Sequence, residues 1–312
     1  MNTHETFLLA LAGLIALYSL ATGWGHWRES HAIDGVKLAS LTQLNSRIRA
    51  GWFIVLLFGV AFLLGETALV LLFALASFFA LREFMALTPI RASDHWALVL
   101  AFYVVIPTHY ALVSAGLYGW YAVFIPVYVF LVMPVVMAIK LDTALYLQRV
   151  AKVQWGLMIT VYCVSHAPAI ATMQIPGYDD RAPLLLLYFL LLVQLSDFFA
   201  VLATSLFGRT PLRSDPNKSR EGVLAGGAAA TLVGTALWWM TPFTWWQALL
   251  IAALTVTAGF MGVLVLAAVK SSLGARDSYE GIQLSRGMLE RLDALSFAAP
   301  VFFHVVFYFF VP

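Results

Sequence analysis

Residues 183–206 read PLLLLYFLLLVQLSDFFAVLATSL, an apolar run whose single charge is Asp197. A helix rises about 1.5 Å per residue, so about 20 residues cross a hydrocarbon core of about 30 Å. The run lacks the strict alternation of a barrel strand, and in lipid only a helix or a closed barrel satisfies its own backbone. Reading it as a transmembrane helix puts a carboxylate well inside the span. That costs at least about 2.5–3.5 kcal/mol on insertion scales, so Asp197 is expected to face a bundle interior or a water-filled cavity. The functional reading is a site residue; the structural one is a protonated or hydrogen-bonded packing residue.

The rest of the chain repeats this composition. Of 312 residues, 62% are hydrophobic and 11% charged, against about 45–50% and about 25% in soluble domains. Ten runs are long enough or nearly so to span: 6–24, 50–65, 67–86, 95–113, 117–138, 152–173, 183–206, 223–241, 244–268 and 295–311. The expected fold is therefore all-α, a polytopic helical bundle of about ten transmembrane helices. Residues 1–6 carry no Lys or Arg, so the first run reads as a span rather than a signal peptide. Alternating the loops places seventeen of the eighteen Lys and Arg on one side and only Arg181 on the other. The crowded side is expected to be cytoplasmic, with both termini outside. A net charge of +2 gives no footprint for nucleic acid, and the single Cys163 gives no disulfide or thiolate metal site.

Polar chemistry concentrates in two of the cytoplasmic segments. Segment 207–222 reads FGRTPLRSDPNKSREG, with turn formers at Gly208, Pro211, Pro216 and Asn217. A helix is expected to start near Ser219 or Arg220, and its N-terminus beside Lys218 suits a phosphate. A well-capped helix after an ordinary positive-inside loop explains the same residues. Gly222, Gly226 and Gly227 would let that helix approach a neighbour closely, and a homodimer through a face such as Gly222–Gly234 is a further expectation. Segment 269–294 reads VKSSLGARDSYEGIQLSRGMLERLDA. If helical, Glu290 and Asp293 share a face; with Asp277 they offer three hard oxygen donors of the kind Mg²⁺ takes beside phosphates. Lys270, Arg276 and Arg286 would neutralise such phosphates, while a solvated amphipathic loop is the plainer alternative. His109 and His166, beside Pro107 and Pro168, read as hydrogen-bonded residues in kinked helices rather than ligands. A transporter would explain the spans and Asp197, but not these two loops, and no inverted repeat is visible.

Asp197 and the two loops together resemble the phosphatidate cytidylyltransferase (CDP-diacylglycerol synthase) family of membrane enzymes. Members carry an intramembrane Asp, a Phe-Gly-Lys element and Ser-Pro-x-Lys-Thr-x-Glu-Gly. Here these are Asp197, Phe207-Gly208-Arg209 and Asp215-Pro216-Asn217-Lys218-Ser219-Arg220-Glu221-Gly222. The C-terminal signature is matched without a gap from Lys270 to Asp293, through Arg276-Asp277-Ser278 and Glu290-Arg291-Leu292-Asp293. The resemblance implies that residues 95–312 form a cytidylyltransferase-like membrane domain, after N-terminal membrane helices at 1–94. It implies CTP and phosphatidic acid, or a related lipid phosphate, as substrates, membrane lipids as surroundings, and Mg²⁺ as cofactor. By the same resemblance Asp197, Lys218, Asp277 and Arg291 would be catalytic. Arg209, Ser219, Glu221, Lys270, Arg276 and Arg286 would bind substrate, and Asp277, Glu290 and Asp293 would hold the metal. The site would face the cytoplasm from a bacterial inner membrane. The chain departs from the pattern at Val263, where members place an acidic residue, at Ser271 for Arg, and at Ser285-Arg286-Gly287 for His-Gly-Gly. Two expectations stand: a cytidylyltransferase of reduced or altered activity, or a family member that binds lipid or nucleotide, or partners a membrane enzyme, without turnover.

Overall fold

The computed structural model describes residues 56–87, 91–178, 181–212, 218–272 and 287–311, with isolated positions between 12 and 52. The expected span 6–24 therefore lies largely outside the described residues, while 50–65 is described from residue 56 and is helical over 56–63. The remainder is helical throughout: α1 (Glu66–Ala86), α2 (Ala92–Ser114) and α3 (Tyr118–Ala138), then α4 (146–171), α5 (Ala182–Phe207), α6 (Arg220–Ala236), α7 (Trp245–Ser272), α8 (Met288–Arg291) and α9 (Asp293–Phe310). Six of these, α1, α2, α3, α5, α7 and α9, are long and apolar enough to cross a membrane. The protein is a polytopic helical membrane protein.

Helix ends follow local chemistry. After α2, Gly116 takes φ +65°, Leu117 N donates to Leu112 O at 3.1 Å and Gly116 N to Val113 O at 3.0 Å. This paired closure needs a left-handed residue, which glycine supplies without a Cβ clash. Within α2, α3 and α4 the hydrogen bonding widens to i→i+5 at Ala101–Val105, Phe124–Val129 and Met158–Tyr162. Pro107 follows the first widened stretch and Pro126 lies in the second. A proline removes a helical donor, and local widening re-satisfies the carbonyls it strands. In the third, Thr160 Oγ1 donates back to Gly156 O at 2.7 Å.

The chain forms two compact units. The first comprises residues 1–65 and 177–257, the second 66–176 and 258–312. In the first, α5 and α6 touch backbone to backbone. A methyl added at Gly226 would lie 2.3 Å from Ala200 N, and one at Gly222 2.0 Å from Thr204 Oγ1. Gly234 meets Leu192, Ala252 and Tyr188, so these three glycines are used inside the chain. In the second unit Gly156 lets α4 seat on Leu81, Phe84 and Met85 of α1. Its core is lined by Phe84, Tyr121, Met133 and Phe302, all nearly inaccessible.

Several boundaries differ from the hydropathy reading: α6 runs Arg220–Ala236 rather than 223–241, α7 continues to Ser272, and two helices start earlier. Helix α4 starts at Tyr146, about two turns before the apolar run at 152, so Arg149 sits on the helix. Helix α9 starts at Asp293 rather than 295. Both ends carry charges that a hydropathy window excludes but that find partners in the fold.

Candidate active site

In the first unit the site is a hairpin between α5 and α6. Asp197, Ala200 and Thr204 are spaced three and four apart, on one face of α5. Asp197 Oδ1 lies 2.5 Å from Lys218 Nζ; the lysine side chain is 9% exposed and the aspartate 37%. Pro211 and Ser219 form an antiparallel bridge, with Leu212 N donating to Lys218 O at 2.8 Å and Arg220 N to Thr210 O at 3.0 Å. That bridge delivers Lys218 to the α5 face. Ser219 caps α6: its Oγ accepts from Gly222 N at 2.9 Å, and its own amide donates to Thr204 Oγ1 at 3.0 Å. Thr204 donates onward to Ala200 O at 2.7 Å.

Glu221 clamps the other arm of the hairpin. Its carboxylate accepts from Arg209 N at 3.2 Å, Thr210 N at 3.1 Å and Thr210 Oγ1 at 2.8 Å. Its own amide, then the Thr210 hydroxyl and the Thr210 and Arg209 amides, hold the carboxyl down to about 2. Donors that favour the charged form lower a carboxyl pKa. Ser219 and Glu221 thus shape the loop, while the Arg209 side chain is left exposed.

In the second unit the C-terminal signature rests on helix ends. Helix α8 ends at Arg291, Leu292 takes φ −101° and ψ 1°, and α9 opens at Asp293, so Glu290 and Asp293 stand on either side of a helix junction. The stretch is helical in two pieces, and Asp293 Oδ1 accepts from Ala294 N at 2.6 Å at the head of α9. On α7, a methyl at Gly262 would lie 2.6 Å from Asp293 O. Val263, the position at which the resemblance implies an acid, is therefore next in sequence to the residue that touches Asp293. Arg291 is exposed, and Lys270 is half-buried in the last turn of α7. Asp277, Arg276 and Arg286 lie outside the described residues.

Three contacts of the fold escaped the sequence reading. Thr204 had a visible signal, its helical spacing from Asp197. Glu83 had none: its Oε2 accepts from Leu289 N at 3.0 Å across 206 positions. Arg149, counted among the loop charges, is 6% exposed and lies 2.8 Å from Asp94 and 3.0 Å from Asp142. The Ser93 hydroxyl first, then the Ala144 amide and the two arginines, hold the Asp142 carboxyl below its ordinary range against some desolvation. The two histidines behave as packing residues: His109 Nε2 lies 2.8 Å from Ser165 Oγ, and His166 Nδ1 2.8 Å from Tyr162 O.

A family model described as "Cytidylyltransferase family" matches residues 45–309. The chain belongs to the cytidylyltransferase family. It is 30% identical over 310 residues to the uncharacterized protein YnbB of Escherichia coli K12, covering 97% of this chain and 98% of that protein. It is 30% identical over 156 residues to the phosphatidate cytidylyltransferase of Helicobacter pylori J99, covering 46% of this chain and 58% of the other. With the phosphatidate cytidylyltransferase of Haemophilus influenzae it shares 33% over 142 residues, 41% and 46% of the two chains. It therefore spans about half the length of these named enzymes.

Proposed function

We propose that this cytidylyltransferase acts on CTP and phosphatidic acid, or a related lipid phosphate, yielding CDP-diacylglycerol and pyrophosphate. The observation that carries the reading is the family match across 45–309, together with an Asp197–Lys218 pair held at the mouth of the hairpin. In this reaction a lipid phosphate oxygen attacks the α-phosphorus of CTP, and the bond to the bridging oxygen of the β-phosphate breaks. Both reactants are polyanions, so their approach needs fixed positive charge. Lys218, oriented by Asp197 in the first unit, meets the phosphates, and Arg209 on the same hairpin adds to the field. Ser219 and Glu221 hold the loop that presents them. The asymmetry of Lys and Arg supports a site on the cytoplasmic face of a bacterial inner membrane.

Mg²⁺ would supply charge neutralisation to the triphosphate when bound. Among the described residues no three His, Cys, Asp or Glu are grouped to hold a metal ion. Glu290 and Asp293 alone do not fit one, and Val263 offers no side-chain oxygen. Asp277, the third expected donor, lies outside the described residues. That same Val263 favours a second reading, a member that binds CTP or lipid without turnover.

The test is incubation of the purified protein with labelled CTP, phosphatidic acid and Mg²⁺. CDP-lipid above an Asp277→Ala control supports the first reading; none across several lipid phosphates overturns it. Thermal protection by CTP without product would favour the second. In that case Val263→Asp combined with Ser271→Arg and Ser285→His should raise activity.

A further inference from the structure

Glu83 lies in the last turn of α1 and takes no part in the proposed site. Its carboxylate accepts the Leu289 amide at 3.0 Å, and the same carboxylate occupies the space beside Gly287. A methyl at Gly287 would sit 2.1 Å from Glu83 Oε1 and 2.3 Å from Oε2. Gly287 has φ −68° and ψ 176°, a conformation open to any residue, so room for Glu83 explains the glycine and backbone freedom does not. Helix α8 is only four residues long. Helices shorter than about 12 residues are marginal without outside partners, so this single turn depends on what grips it. The grip is Glu83 on the Leu289 amide and the burial of Leu289, 1% exposed.

We propose that Glu83 is a positioning residue for the C-terminal signature: by anchoring Gly287 and Leu289, it sets where Glu290, Arg291 and Asp293 stand toward CTP. The assignment rests on the reading of this chain as a CTP-using enzyme, but the anchor itself can be read without turnover. A carboxylate accepting a backbone N–H near a helix start is favourable in both charge and geometry. Glutamine keeps an acceptor oxygen of the same reach and alanine does not. Gly287 supplies an independent handle, because its cost depends on the carboxylate being there.

The experiment compares wild type, Glu83→Ala, Glu83→Gln, Gly287→Ala and the Glu83→Ala/Gly287→Ala double variant. Hydrogen exchange at 288–291 should quicken about tenfold or more in Glu83→Ala and Gly287→Ala, and less than about threefold in Glu83→Gln, with α5 unchanged. Gly287→Ala should add little once Glu83 is alanine, since contacting residues are non-additive. In the CTP assay, kcat should fall about tenfold or more for Glu83→Ala and recover in Glu83→Gln, with KM for CTP moving less than about threefold. Unchanged exchange in Glu83→Ala, or equal losses in Glu83→Gln and Glu83→Ala, would overturn the proposal. So would a fully additive double variant, or a loss in KM alone. If wild type shows no turnover, the enzyme reading falls, and the exchange and additivity arms alone decide whether Glu83 anchors the segment. Should Glu83→Ala not fold, Glu83→Gln with and without Gly287→Ala carries the same comparison.

Discussion

Between Asp197 and Gly222 the polar groups find their partners within 25 positions of chain, whereas the Glu290–Asp293 stretch is held by a carboxylate 206 positions before Leu289. The first region is a closed hairpin: bridge, cap and clamp are all local, and two helices touch through glycine. The second is a junction of helix ends that takes its shape from α1 and α7. A local device can be read from spacing and broken by one residue. A remote one shows itself only once the chain is folded.

The sharpest way to break the contrast is to separate α5 from α6. Gly226→Ala would drive a methyl into the Ala200 backbone, at 2.3 Å from its nitrogen and 2.5 Å from its Cα. Neither atom can step aside, so thermal unfolding in detergent should register a loss of about 3 kcal/mol. Its neighbour is the control. Gly227→Ala meets only Val256 Cγ1 at 3.3 Å, and stability should stay within about 0.5 kcal/mol; equal losses at both would refute the backbone contact.

Next in size is the ion pair. Asp197→Ala removes the carboxylate facing Lys218 Nζ, and a charge-assisted contact of this kind is worth about 2 kcal/mol. Adding Lys218→Met should return part of that stability while CDP-lipid formation stays lost. A double variant less stable than Asp197→Ala alone would show the pair is not the source.

The smallest effect concerns pH. The folded Glu221 carboxyl is depressed from 4.5 to about 2, so its contribution is complete above about pH 5 and is lost as pH falls through 2. The Thr210 amide resonance should move over that window and lose the movement in Glu221→Gln. A shift that persists in the variant would assign the titration elsewhere.

Hydropathy made the bundle legible because lipid admits so few backbone solutions. The start of α6 at Arg220 was legible too, since Ser219 is a capping residue followed by Glu221 and Gly222. What stayed hidden depended on register or on distance. The junction at Leu292, between Glu290 and Asp293, leaves no mark in their spacing. The widened turns in α2, α3 and α4 change hydrogen-bond register without changing hydropathy. Glu83 and Arg149 carry no local sign of their partners, which lie far away in sequence. Thr204 is the exception that spacing alone would have found, three and four residues along the face that carries Asp197.

The Arg149 cluster bears on how the protein is made. Asp94 and Arg149, 55 positions apart, are each nearly inaccessible once joined. The ribosome delivers the acid first, so Asp94 waits at the membrane border while α3 is synthesised and inserted. Until α4 emerges, burying that carboxylate alone is costly, and the start of α2 stays in contact with water. We therefore expect a cysteine at Ser93 to be reagent-accessible in nascent chains stalled before Arg149 emerges, and protected in longer ones; protection at both lengths would refute this order. Insertion of α2 is thus completed by a residue two helices downstream, which makes the order of synthesis part of how this membrane domain closes.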